Sequence, residues 1–179
     1  MWKKLQGWVI LGVLLLSASF AYRWVTARFI IPPIRIHDTE RGMEPLIMAG
    51  ESVWRLDRAL LSTRDLRFGD IVVFLYPGLW EDEGLIPGRI AGLPGDTISF
   101  CDGKLWRNGK EAIESWNPKR DYACNAPPVL VPRNHVYLLM DNRVYQAGRA
   151  PRRHDSRELK PVPFSLLVGR MIHFTKRGS

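Results

Sequence analysis

Arg89-Ile90-Ala91-Gly92-Leu93-Pro94-Gly95-Asp96 is the stretch whose reading decides the fold. An apolar, β-prone run enters Gly92 and meets a Pro94-Gly95 turn. Proline presets φ at the first corner, and glycine accepts φ > 0 at the second, as a type II turn requires. Thr97-Ile98-Ser99-Phe100 then begins a new strand at once. Local chemistry alone describes a generic strand–turn–strand unit. Its company gives it meaning. An apolar segment of membrane length precedes it, Gly42-Met43-Glu44-Pro45 lies between, and Asp141-Asn142-Arg143 and Asp155-Ser156-Arg157 follow in that order.

At 179 residues the chain has room for one domain and an anchor. A hydrophobic share of 46% excludes a disordered chain. The formal net charge of +8 fits nucleic acid, an anionic membrane surface or solubility alone. The arginines are spread out and no basic helix or aromatic-basic RNA motif occurs, so no nucleic-acid partner is expected. Two cysteines and four scattered histidines show no ligand spacing, so neither a metal nor a cofactor is expected.

Outward from the central stretch, the N-terminus carries Lys3 and Lys4 and then an uncharged run from Leu5 to Tyr22. That run approaches the ~20 residues a spanning helix needs. The lysines predict a cytoplasmic N-terminus. The division expected is a cytoplasmic tip (1–4), a transmembrane anchor (5–22) and an extracytoplasmic domain (23–179), with the anchor in the inner membrane. A cleaved secretory signal is the rival, because Ser17-Ala18-Ser19-Phe20-Ala21 offers small residues suited to cleavage.

Pro32 and Pro33 make Phe29 to Ile36 an interrupted extended segment, and residues 37–41 read as a polar loop. Short strands are expected at Ser52–Leu56, Ile71–Tyr76, Val136–Met140 and Leu166–Phe174, with Asp57–Arg67 a charged connector and Pro77–Gly84 a loop. Asp102-Gly103 and Asn108-Gly109 predict two tight hairpins. Residues 112–132, with four prolines, read as irregular, and 144–154 as a basic loop. Strands at turn-punctuated spacing argue for a mainly β domain. In an oxidising compartment Cys101 and Cys124 would pair across a loop of about 20 residues, worth roughly 3 kcal/mol; two free thiols are the alternative.

The ordered motifs resemble the signal peptidase I family, the membrane-anchored Ser-Lys proteases that remove signal peptides. Gly42-Met43-Glu44-Pro45-Leu46 resembles its Ser-Met-x-Pro-Thr-Leu box. Gly88-Arg89-Ile90-Ala91-Gly92-Leu93-Pro94-Gly95-Asp96 resembles its Lys-Arg-x-x-Gly-Leu-Pro-Gly-Asp box. Met140-Asp141-Asn142-Arg143 resembles Gly-Asp-Asn-Arg, and Asp155-Ser156-Arg157 its Asp-Ser-Arg element. The resemblance implies a twisted antiparallel β-sheet or barrel domain behind an N-terminal transmembrane helix. It also implies an apolar groove that takes substrate as an added strand, with Met43, Pro45, Arg89, Asn142 and Ser156 at the groove or its scaffold. Asp141, Arg143, Asp155 and Arg157 are expected in a buried ion-pair cluster, and Arg89 beside the groove.

The departures carry the functional expectation. In the family a serine hydroxyl attacks the scissile carbonyl and a neutral, desolvated lysine takes its proton. Those positions correspond to Gly42 and Gly88, which have neither group. The place of an accessory oxyanion hydroxyl falls at Glu40, whose carboxylate would repel a developing negative charge. Met140 replaces a glycine, and Lys160 stands where a glycine usually follows. The expectation is a catalytically inactive relative that binds an extended peptide or an exported or surface-protein client. A divergent signal peptidase I with an unrecognised nucleophile is the alternative.

Overall fold

The computed structural model describes residues 2–29, 42–47, 52–57, 62–75, 85–120, 126–144 and 155–176. The segments expected at 30–41, 76–84 and 145–154 lie outside the described residues, as do Glu40 and Cys124.

Helix α1 (Trp2–Phe29) is one uninterrupted rod of 28 residues. It contains no proline, and its side chains from Gln6 to Thr26 are apolar enough on average to cross a bilayer, with none of that window buried. At 1.5 Å per residue those 21 residues span about 32 Å, close to the thickness of a hydrocarbon core. Ser17 and Thr26 donate their hydroxyls to the carbonyls three residues back, at 2.9 and 3.0 Å, so neither polar group interrupts the rod. The helix runs past Tyr22, and Phe29, expected to be extended, is its last residue. Arg23 and Arg28 mark a change of polarity, but arginine is a good helix former and does not end a helix.

The remaining elements are β1 (Ser52–Asp57), β2 (Ile71–Leu75), β3 (Leu85–Gly92), β4 (Thr97–Cys101), β5 (Lys104–Arg107), β6 (Lys110–Glu111), β7 (Ala126–Leu130), β8 (His135–Leu139), α2 (Ser156–Leu159), β9 (Val162–Pro163) and β10 (Leu167–Lys176). They form a six-stranded sheet in the order β1-β10-β2-β3-β8-β9 and a four-stranded sheet in the order β6-β5-β4-β7. Every strand pairing in both sheets is antiparallel. The domain is therefore mainly β.

Strand β3 is buried along nearly its whole length because each face has its own core. Ile86 and Ile90 join Val72, Phe74, Val136, Leu138 and Met140 on one side. Ala91 joins Tyr137, Leu139, Ile98, Phe100, Leu105 and Val131 on the other. Period-2 alternation of side chains on β3 and β8 sorts their residues between the two cores. The Pro94-Gly95 turn then carries the chain from the first sheet into the second, with Gly95 at φ +90°. Asp96 fastens this turn. Its Oδ2 accepts from the Leu93 amide at 2.8 Å and from Arg107 Nε at 2.8 Å, and its Oδ1 from Asn108 Nδ2 at 2.7 Å.

Both predicted hairpins form, with φ positive at Asp102 and Gly103 and at Asn108 and Gly109. One reading of the sequence needs correction here. Residues 126–130, assigned to an irregular stretch, make the edge strand β7 against β4. The edge tolerates Pro127 and Pro128 because the register with β4 shifts between Ile98 and Phe100, so the two prolines fall between the paired residues Ala126 and Val129. A four-residue helix, α2, follows Asp155, whose side chain caps it by accepting from the Arg157 amide at 3.0 Å.

Candidate functional site

Residues 42–47 form a turn that folds onto the first core. Ile47 N donates to Met43 O at 3.0 Å, and Met43 and Ile47 are each 1% exposed. Pro45, following a cis peptide bond, stays on the outside. The Gly42 carbonyl accepts from Asn142 N at 2.7 Å, which ties the turn to the segment leaving β8. Gly88 lies in β3 opposite Val72 of β2. A Cβ added there would meet Leu138 Cβ and Phe74 Cε1, each at 3.4 Å. Phe74 and Leu138 pack in the same core as Met43. Met43, the neighbour of Gly42, and the side chains that flank Gly88 thus belong to one hydrophobic core.

Arg89 points the opposite way, as its place next to Gly88 on a strand demands. It is 6% exposed. Its Nε and Nη2 reach Asp141 Oδ1 and Oδ2 at 2.7 and 2.5 Å, and its Nη1 donates to Gly69 O at 2.8 Å. The Trp116 ring lies 4.6 Å from the guanidinium carbon, so the cation is held between a carboxylate and an aromatic face.

Arg143 pairs with Glu114 through both guanidinium Nη atoms, with Nη1 3.1 Å from Oε2, and its Nε donates to Met140 O at 3.2 Å. Asp155 and Arg157 make a third pair, with Nη2 2.7 Å from Oδ2. Asp155 Oδ2 also accepts from Met140 N at 3.2 Å, and Ser156 Oγ accepts from Leu138 N at 2.9 Å. Asp141, Arg143, Asp155 and Arg157 therefore form three separate buried pairs strung along residues 138–143, two of them completed by Arg89 and Glu114. Removing one partner of such a pair typically costs about 3–5 kcal/mol, because the other charge is left buried alone.

Glu114 and Trp116 escaped the reading of the sequence. Both lie in the proline-rich stretch 112–132, and neither belongs to a motif. Glu114 is 29 residues from Arg143, so no local spacing marks the pair. Cys101 carries an exposed free thiol at the end of β4, and its expected partner Cys124 is outside the described residues. Among the described residues no group of three His, Cys, Asp or Glu side chains is placed to hold a metal.

The buried polar side chains among the described residues are Asp57, Arg89, Asp96, Glu114, Asp141, Arg143, Asp155 and Ser156. The hydroxyl of that set is on Ser156, the phenol of buried Tyr137 adds a second, and the set holds no lysine. The arrangement sets buried ion pairs beside the Gly42 turn and hydrophobic side chains beside Gly88.

These features put the chain among mainly β proteins of peptidase type that carry an apolar N-terminal helix. The particular family is signal peptidase, peptidase S26: its family model matches residues 5–175, and the chain belongs to it. Signal peptidase I V of Bacillus subtilis strain 168 is 28% identical over 113 residues, which cover 56% of this chain and 61% of that protein. Mitochondrial ATP-independent inner membrane protease subunit 1a of Arabidopsis thaliana is 26% identical over 148 residues, covering 83% of this chain and 72% of that one. Among solved structures, a signal peptidase I from Enterococcus faecalis V583 is similar at 23% identity and a TM-score of 0.47, covering 60% of this chain and 97% of the other.

Proposed function

We propose that this chain is a noncatalytic member of the signal peptidase family. It holds an extended segment of an exported or surface protein without cutting it, at the outer face of the inner membrane, with α1 as a single-pass anchor and a cytoplasmic N-terminus. One observation carries the reading: the positions that match the family's nucleophile and general base are Gly42 and Gly88. Glycine supplies neither an attacking oxygen nor a proton acceptor, and losing one member of such a dyad costs several orders of magnitude in rate. The intact surroundings support retention of binding. Met43 keeps its place in the core, and the Arg89–Asp141 and Asp155–Arg157 pairs are fully made. Strand addition draws its affinity from main-chain hydrogen bonds, which need no catalytic side chain.

The test is a cleavage assay on a preprotein at high protein concentration and long times. No product is expected; specific cleavage after a small-x-small site overturns the reading. The double variant Gly42→Ser with Gly88→Lys, in the same assay, asks how far the site has drifted. A lysine at 88 would leave the strand between Phe74 and Leu138, surroundings that disfavour the charged ammonium and so suit a base. In-cell crosslinking from the 42–47 turn identifies the client, which is expected to carry a small-x-small segment.

A further inference from the structure

The segment joining β6 to β7 belongs by chain order to the second sheet, yet it reaches the residues beside Gly42 and Gly88. Glu114 closes on Arg143, with side chains 0% and 2% exposed. Trp116 lies against the Arg89 guanidinium, and Phe68 packs on the same indole with ring centroids 5.3 Å apart. Lys119 N donates to Asp141 O at 2.8 Å, and Lys119 O accepts from Arg143 N at 2.8 Å. These two bonds make a short parallel bridge between Lys119 and Asn142. On its other side, the same Asn142 sends its amide proton to Gly42 O.

Residues 141–143 are thus gripped from one side by Glu114 and Lys119, with Trp116 against Asp141's partner Arg89, and they grip the Gly42 turn from the other. Arg143 cannot move toward water without abandoning a buried carboxylate, and Glu114 cannot move without stranding a buried guanidinium. Buried ion pairs are best attested as devices that fix a register, which is the geometry seen here.

We infer that residues 114–119 are a brace by which the second sheet positions the Gly42 wall of the site, with Glu114 as the principal positioning residue. The inference rests on the placement of the site at Gly42 and Gly88; it does not depend on whether that site cuts or what it holds.

The test is residue-resolved amide hydrogen exchange on the full chain in detergent micelles, comparing wild type with Glu114→Gln. The variant keeps the shape of the side chain and removes its charge. Three amides report: Asn142 N, bonded to Gly42 O; Ile90 N, bonded to Asp70 O at 2.8 Å; and Val131 N, bonded to Asp96 O at 2.8 Å. Loss of the brace opens residues 141–143 locally, so exchange at Asn142 is expected to accelerate by about tenfold or more, with Ile90 and Val131 changing by less than about threefold. An equal acceleration at all three amides means general loss of stability and overturns the inference, as does no change at Asn142. Where Glu114→Gln fails to fold, Lys119→Pro deletes the N–H that reaches Asp141 O and is read in the same way. Because exchange needs no client, failure here is distinct from failure of the proposed function.

Discussion

Two glycines on one strand illustrate how differently the same residue can be constrained. A Cβ on Gly92 would lie 2.8 and 2.9 Å from Ile98 Cγ1 and Cδ1 and 3.1 Å from Tyr137 Cβ, inside the second core. Ile98 Cδ1 is a chain end, but Ile98 Cγ1 and Tyr137 Cβ are held close to their own backbones, so Gly92→Ala is expected to destabilise the domain by about 1–3 kcal/mol. On Gly88 the same atom meets Leu138 and Phe74 at 3.4 Å, an ordinary contact. Gly88→Ala is therefore expected to stay within about 1 kcal/mol of wild type, since reduced freedom of the unfolded chain offsets slight crowding. Thermal unfolding of both variants checks the contrast. If it holds, packing demands glycine at 92 but not at 88, and the missing side chain at 88 answers to function rather than to the fold.

At the scale of elements, the hand-over from β3 to β4 responds to pH. Burial pushes the Asp96 carboxyl up. The hydrogen bond from Arg107, those from the Leu93 amide and Asn108, and the Arg107 charge together outweigh it and leave the pKa below the ordinary carboxylate value. A folded pKa below the unfolded one means fewer protons bound in the folded state. The stabilisation is complete above the unfolded value of about 3.9 and is lost as pH falls through the folded value. Asp96→Asn is expected to lower stability at pH 7 by about 1.5–3 kcal/mol, the usual worth of hydrogen bonds to a charged group. It should also remove part of the loss the wild type shows between pH 5 and more acid conditions. Melting temperatures across that range measure both effects.

Elements also show what a sequence can disclose. The Asp-Gly and Asn-Gly pairs announce their hairpins because positive φ at both corners is a local demand that few residues meet. The Pro94-Gly95 turn is legible for the same reason. Strand β7 was not, because two prolines read as an irregular segment until a neighbour on one side alone makes them admissible. In the site, the positions of Gly42, Gly88 and the Asp-Arg motifs were legible from ordered short boxes. The partners that complete the floor were not. Glu114 finds Arg143 only when the second sheet folds back over β8, and no periodicity records such a meeting. That Asp141 and Trp116 enclose Arg89 was not legible either, because both partners lie far from it in sequence.

For the molecule as a whole, the organising contrast is between an apolar rod and a polar-surfaced β domain. Trp8, Leu16, Phe20, Tyr22 and Trp24 on α1 are each more than half exposed, so among the described residues most of the rod is uncovered. A surface of that kind needs lipid or a partner helix. The chain is expected to stay with membranes after alkaline carbonate extraction and to be released into the aqueous phase when residues 1–29 are removed. Protease added to intact cells stripped of their outer barrier should digest the β domain and spare α1. Protection of the β domain would reverse the orientation proposed above.

Strand β7 has a consequence at this scale as well. Anchored proteins are confined to two dimensions, where neighbours collide repeatedly in similar orientations and an open sheet margin invites side-by-side zippering. At the outer margin of the second sheet, Pro127 and Pro128 break the regular register, and between them they remove one donor from each side of the strand, so an approaching strand finds a gap where it needs a donor. The chain can thus be crowded in its membrane without fusing into ribbons, leaving sociability to whatever surface is meant to have it.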